Sequence, residues 1–262
     1  MREMPKTDLI KIYNKLLNQF GHKKWWPADT PFEVVVGAIL TQQTKWENVE
    51  KAIRNMKESG LMAEEPIARA EIEKLEGLVR CTGFFRQKAK RLKAVSTFFY
   101  ENPDILDKPV GELRETLLSL NGVGEETADS IVLYAADKPK FVIDAYTKRM
   151  CSCMDIEGDY GTLQSLFESS IPQDVPLYKE FHALIVEYGK QFCGKKRCGE
   201  CVLVDNKIHW HIKPQMKSPR VTPLEGVSTS TVTPVDCVHT YASTLAYVDG
   251  RPQGAQPLTY AP

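Results

Sequence analysis

The sequence predicts an all-α fold, and three observations carry that expectation. Apolar residues recur at three-to-four spacing along most of the chain, capping boxes open helices, and no segment sustains the apolar–polar alternation of a strand. Along 8–20, Leu9, Ile12, Tyr13, Leu16, Leu17 and Phe20 line one helical face. Thr30-Pro31-Phe32-Glu33 is a capping box with proline at the first helical position, opening a helix through Val34, Val35, Ile39 and Leu40. Thr44-Lys45-Trp46-Glu47 repeats the box and starts a helix that ends near Gly60. Further helices are expected at about 64–76, 86–100, 110–119, 125–137, 144–153, 161–169 and 175–192. An α/β alternative needs a strand at Phe141–Ile143, and little else supports it.

Past about Lys213 the composition breaks. Segment 218–262 is rich in Ser, Thr, Pro, Val and Gly and has no helical period, so it is expected to be disordered or loosely attached, or the product of a frame-shifted coding end.

The chain has 262 residues, with 34 Lys+Arg against 34 Asp+Glu. Neutrality excludes a uniformly cationic nucleic-acid coat and a polybasic membrane anchor. No run approaches the ~18 apolar residues of a membrane span, and the start lacks the apolar core of a signal peptide, so an intracellular protein with no membrane partner is expected. Seven cysteines without a secretion signal argue against a disulfide framework, and the cluster at 193–201 suggests a metal or cluster site.

Local charge is uneven. From Arg80 to Lys93 there are six basic residues, Arg86, Lys88 and Lys90 among them, and no acid, whereas Glu58, Glu64, Glu65, Glu71, Glu73 and Glu76 lie outside that run. Such asymmetry suits one DNA-facing side, although a solvated helix face is the ordinary fate of such runs. Between two apolar helices stands Leu120-Asn121-Gly122-Val123-Gly124-Glu125-Glu126-Thr127-Ala128-Asp129. A G-x-G turn opening a helix aims backbone N–H groups outward at an anion such as phosphate. Alone, the motif reads first as an ordinary helical hairpin with a glycine cap.

Leu120-Asn121-Gly122-Val123-Gly124 with Thr127-Ala128 resembles the hairpin of helix-hairpin-helix DNA glycosylases. Phe141-Val142-Ile143-Asp144-Ala145-Tyr146-Thr147-Lys148-Arg149 resembles the segment carrying that superfamily's catalytic aspartate. Similarity to the endonuclease III branch runs from about residue 5 to 201. Trp25-Trp26-Pro27, Thr41-Gln42-Gln43-Thr44-Lys45-Trp46 and Gly83-Phe84-Phe85-Arg86-Gln87-Lys88-Ala89-Lys90-Arg91-Leu92 are most similar to 3-methyladenine DNA glycosylase III. The resemblance implies two helical lobes flanking a cleft. One is a six-helix barrel over 24–137 ending in the hairpin; the other joins 1–23 to 138–212, with 213–262 left as a tail.

It further implies Asp144 as the catalytic carboxylate, a role compatible with capping the helix that starts there. Trp26, Pro27 and Trp46 match the positions that sandwich a flipped base, Gln42 either contacts that base or fills a gap between helices, and Lys190 matches a lysine near the site. Trp25 is expected to be ordinary core. Phosphate contacts fall to Gly122, Gly124, Glu125, Thr127, Arg86, Lys88 and Lys90. Bifunctional relatives carry a lysine where this chain has Glu126, so strand cleavage through a Schiff base is not expected.

Cys193, Cys198 and Cys201 resemble three of the four ligands of the branch's iron–sulfur loop, with a shorter first spacing and no fourth cysteine nearby; His209, His211 and the distant Cys237 are weak substitutes. The chemistry needs no cofactor, and a [4Fe–4S] cluster would be structural. The function expected is a monomeric, monofunctional glycosylase that excises alkylated purines such as 3-methyladenine from double-stranded DNA. The rivals are a glycosylase for mismatched or oxidised pyrimidines and a non-catalytic lesion-binding module.

Overall fold

The computed structural model describes residues 6–23, 25–195, 197 and 200–203. Cys198, His209, His211, Cys237 and the whole tail expected at 213–262 lie outside the described residues. All the described residues fall within one compact unit, Met1–Ile212.

Eleven α-helices are seen among the described residues, and no strand: α1 (Lys6–Phe20), α2 (Pro31–Leu40), α3 (Trp46–Glu58), α4 (Glu64–Arg69), α5 (Ile72–Val79), α6 (Phe85–Glu101), α7 (Val110–Leu118), α8 (Glu125–Ser130), α9 (Ala145–Cys153), α10 (Tyr160–Ser170) and α11 (Val175–Tyr188). Phe141–Ile143, the strand of the α/β alternative, is a buried connector without strand pairing.

Local chemistry accounts for most boundaries. Thr30 Oγ1 accepts the Glu33 amide at 3.1 Å while Glu33 reaches back to the Asp29 amide at 3.0 Å, so the first capping box forms. The second does not. Lys45 holds the cap position of α3 without a side-chain bond, and Thr44 Oγ1 accepts instead from the Asn48 amide group at 3.2 Å. The helix expected at 64–76 is two helices, because Ala70 is extended (ψ 147°) and its freed carbonyl is taken by the Lys93 ammonium at 2.6 Å. Two other expected helices change pitch near their ends: α8 passes into a π-helical stretch at Ile131–Ala135, and α11 into another at Gly189–Cys193.

Helices α2 to α8 pack mainly among themselves, with α2 against α3, α6 and α8, and α6 against α4 and α5. The first helix joins the last ones: α1 lies on α10 and α11, and α9 on α11. Tyr13 meets Phe181 edge-on at 5.5 Å, and Lys23 donates its amide to Glu180 at 2.7 Å. The stretch Ile131–Ala135 touches both α2 and α11, so it joins the two groups. Behind it the fully buried Asp129 accepts from Arg114 at 2.6 Å and from Gln164 at 2.7 Å, and Gln164 also donates to the Phe141 carbonyl at 2.7 Å. That bonding ties α7, α8 and α10 to the connector leading into α9. The start of α9 is thereby fixed.

Candidate active site and nucleic-acid interface

Asp144 caps α9. Its Oδ1 accepts the Thr147 amide at 2.7 Å, and its Oδ2 lies 3.7 Å from His182 Nε2 on α11. The side chain is nearly buried. Burial alone would raise the Asp144 carboxyl, yet the His182 imidazole and the Thr147 amide outweigh it and hold the group below its ordinary value. The site therefore keeps an ionised carboxylate in a water-poor wall.

His182 is in turn bonded through Nδ1 to the Tyr134 hydroxyl at 2.7 Å. Tyr134 sits on the π stretch after α8, and its ring lies 5.4 Å from that of Trp26. In sequence Tyr134 reads as one more apolar-face residue of a helix, and His182 stands in Phe181-His182-Ala183-Leu184 with no role of its own; their pairing spans 48 positions.

Trp26 also meets Trp46 edge-on at 5.3 Å, and Trp25 meets Trp46 at 4.7 Å. Trp26 packs so closely on α2 that a Cβ at Gly37 would come within 3.0 Å of the indole. The buried indole N–H groups of Trp25 and Trp26 have no hydrogen-bond acceptor. Lys190, on the second π stretch, holds its ammonium 5.5 Å above the Trp25 ring. Trp25 is half-buried in the aromatic cluster and packs against the hydrophobic core. A base slotted between two rings needs about 7 Å, twice the ~3.5 Å contact distance. The expected sandwich of Trp26 and Trp46 is thus closed in this state. Pro27 is exposed beside it.

Gln42 is not free to read a base. Its Oε1 accepts from Arg91 at 2.6 Å, and its Nε2 donates to the Gly122 carbonyl and to Thr127 Oγ1, both at 3.0 Å. It braces the hairpin against the end of α2, so of the two roles expected of it the structure shows the one that fills a gap between helices, not the base contact. Gly122 has φ +82°, and a Cβ there would strike the Arg91 side chain at 2.2 Å, so the turn admits glycine alone. Gly124 caps α8 and is open on the outside, Thr127 is buried, and Glu125 is exposed with its carboxylate 3.5 Å from Arg114.

The basic run is divided. Lys88 is 1 % exposed, and its ammonium donates to the Leu40 carbonyl at 2.9 Å and the Thr82 carbonyl at 2.8 Å; burial pushes it down to about 8. It joins α6 to α2, a correction to the phosphate contact expected of it. Arg91 and Lys93 are likewise bonded to Gln42 and Ala70. Arg80, Arg86 and Lys90 remain exposed, with Arg86 lying 3.9 Å from Glu76. Beside them Phe84 is 62 % exposed in a left-handed backbone conformation (φ 46°).

Glu126 is open to solvent yet set in a wall dense with protein. Desolvation first, then the nearby Asp144 charge, push its carboxyl up to about 7, with Lys148 opposing. Cys153 and Cys193 contact each other side by side, while Cys201 Sγ lies 2.9 Å from the Tyr188 hydroxyl.

The family model described as "HhH-GPD superfamily base excision DNA repair protein" matches residues 36–169, a span that holds the hairpin, the buried Lys88 and Asp144. The chain belongs to the HhH-GPD superfamily. It is a DNA glycosylase of base excision repair. A DNA repair glycosylase candidate from Methanocaldococcus jannaschii is 49% identical over 211 residues, covering 77% of this chain and 96% of that protein. Endonuclease III of Thermotoga maritima is 30% identical over 183 residues, covering 66% and 80%. Among solved structures, the H. pylori 3-methyladenine DNA glycosylase bound to 1,N6-ethenoadenine aligns with a TM-score of 0.64 and 32% identity, covering 72% of this chain and 98% of that one. The all-α architecture of the HhH-GPD fold is therefore the one seen here, and no described helix is long and apolar enough to cross a membrane.

Proposed function

We propose that this HhH-GPD protein is a monofunctional DNA glycosylase that flips out alkylated purines such as 3-methyladenine and hydrolyses their N-glycosidic bond. One observation carries the reading. A cluster of three tryptophans is joined through Tyr134 and His182 to a buried, ionised carboxylate.

A ring-alkylated purine is cationic, so it gains cation–π energy on indole, on the order of 1–2 kcal/mol when desolvated. Its glycosidic bond is already weakened, which lessens the need for a strong general acid. In the proposed step Trp26 and Trp46 part to admit the base, and the unpaired indole N–H groups offer donors to its ring acceptors. As the C1′–N bond breaks, its electron pair leaves with the base and positive charge builds on the sugar beside Asp144. Water oxygen then bonds to C1′, and its proton passes through Asp144 to solvent. Gly124 and the α8 amides, with Arg86 and Lys90, are proposed to hold the backbone of the duplex.

Phe84, two residues before Arg86, is the more exposed of the two large exposed hydrophobic side chains among the described residues. It is proposed to wedge into the stack as the base leaves it. Phe84→Ala is therefore expected to slow excision from duplex roughly tenfold while leaving excision from a single strand unchanged, as single-turnover assays on the two substrates would read. Equal loss on both would remove the wedge from the proposal.

An iron–sulfur cluster on Cys193, Cys198 and Cys201 is proposed from their spacing alone: Cys198 lies outside the described residues, and among those described no three Cys, His, Asp or Glu side chains stand together as a metal site. Such a cluster would supply structural bracing of the C-terminal loop; iron and sulfide assays of the purified protein read its presence.

The test of the function is base release from duplexes carrying 3-methyladenine, a G·T mismatch or an oxidised pyrimidine, with and without alkali. The identity with Thermotoga endonuclease III keeps the pyrimidine reading as the second candidate.

A further inference from the structure

We infer that Tyr134 and His182 form a buried dyad that aims the Asp144 carboxylate, making His182 a positioning residue for base excision. The inference rests on Asp144 being the catalytic group. It begins with the two oxygens of that carboxylate. Oδ1 is taken by the Thr147 amide, and Oδ2 faces His182 Nε2 at 3.7 Å.

Nε2 is buried and has no hydrogen-bond partner at ordinary geometry, although His182 is only 4 % exposed. A buried polar nitrogen without a partner is costly, and here the group it faces is a carboxylate. A lone pair turned toward that carboxylate would repel it, so Nε2 carries a hydrogen. In the neutral ring Nδ1 is then the acceptor, and the Tyr134 hydroxyl at 2.7 Å donates to it. Tyr134 serves the protonated ring equally well. It accepts from Nδ1–H and turns its own hydrogen to the Lys179 carbonyl, 3.5 Å away. Either way Nε2–H stays aimed at Oδ2. The 3.7 Å separation is long for a hydrogen bond, as catalytic contacts often are before substrate binds.

The groups facing Asp144 come from three elements. Glu126 and Tyr134 face it from α8 and its π extension, His182 from α11, and Tyr146 and Cys151 from α9 itself. Of these, only His182 brings a donor to Oδ2. Without it, desolvation is opposed by Thr147 alone, through its amide and its side chain, and the carboxyl rises. Activity that needs ionised Asp144 is present above its pKa and lost as pH falls through it. Losing His182 therefore moves the acidic limb of the rate profile to higher pH.

The test compares His182→Leu, His182→Gln, Tyr134→Phe and Asp144→Asn with the parent chain in single-turnover excision of 3-methyladenine across pH. Duplex affinity and thermal melting are read on the same proteins, and the profiles are repeated in a Glu126→Gln background to remove that group's titration. His182→Leu is expected to slow excision at neutral pH on the order of 10- to 100-fold, as loss of an orienting partner does elsewhere. Its acidic limb should rise by about one pH unit, with duplex affinity within about twofold. Glutamine, whose amide still donates, should restore most of the rate, and Tyr134→Phe should shift the limb in the same direction by less. If His182→Leu fails to fold, the Tyr134→Phe limb decides. A parental rate and limb in His182→Leu, or a slower rate with an unmoved limb, would overturn the dyad while an inactive Asp144→Asn upheld the aspartate. An active Asp144→Asn would instead remove the catalytic reading on which the dyad rests.

Discussion

Asp144→Asn is expected to slow base release by 10²- to 10³-fold or more while leaving the protein folded. The magnitude is that of removing one preorganised electrostatic group from a developing charge, on the order of 3–4 kcal/mol. The substitution separates two roles that share one side chain. As the cap of α9, Asp144 accepts the Thr147 amide at 2.7 Å, and asparagine caps a helix about as well. As the catalytic carboxylate it must carry charge, and asparagine has none. Because the fold holds the Asp144 carboxyl below its ordinary value, its charge contributes stability at neutral pH, so the melting temperature should stay level or fall slightly. Asp144→Ala, by contrast, should lose both activity and about 1 kcal/mol of capping. Single-turnover base release together with thermal melts of the two variants resolves the question. A fully active Asp144→Asn would leave the residue as a helix cap only.

The second large effect is a gained reaction. The parent chain should release base without nicking the strand, and borohydride should trap no covalent adduct with abasic DNA, because Glu126 offers no amine. Glu126→Lys places an amine near Asp144, whose charge acts on that position. Its attack on the C1′ aldehyde of an abasic site expels water and leaves an imine, which borohydride reduces to a stable link. β-Elimination from the same imine nicks the strand without alkali. A borohydride adduct and direct nicking are therefore expected in Glu126→Lys and absent in the parent. Trapping by the parent chain would show that another lysine does this work and that the monofunctional reading is wrong.

How far the molecule is readable from its sequence depends on whether a feature is local. The Thr30 box needs only four consecutive residues, and it forms much as written. The box at Thr44 obeys the same pattern and fails, because Asn48 offers Thr44 a partner from within the helix. The break at Ala70 is invisible locally, since what satisfies its carbonyl is Lys93, 23 residues on.

The site repeats the lesson. The hairpin and Asp144 are recognisable as strings, whereas Tyr134 and His182 become partners only when α11 packs on the π stretch after α8. Charge misleads for the same reason. Lys88 belongs to an acid-free basic run, yet its ammonium is enclosed by two carbonyls that come from 48 and 6 residues away. A lysine stem and a lysine inside look alike in sequence; only the acceptors tell them apart. The exposed cations left in that run are fewer, Arg80, Arg86 and Lys90, so DNA binding should weaken with salt less steeply than the six-residue run implies.

The most direct measurement is chromatographic identification of the free base released from matched duplexes carrying 3-methyladenine, a G·T mismatch or an oxidised pyrimidine, with strand scission scored before and after alkali. The result expected is free 3-methyladenine with scission only after alkali, and little thymine or oxidised pyrimidine. Release of a pyrimidine with no 3-methyladenine, or scission without alkali, would contradict it.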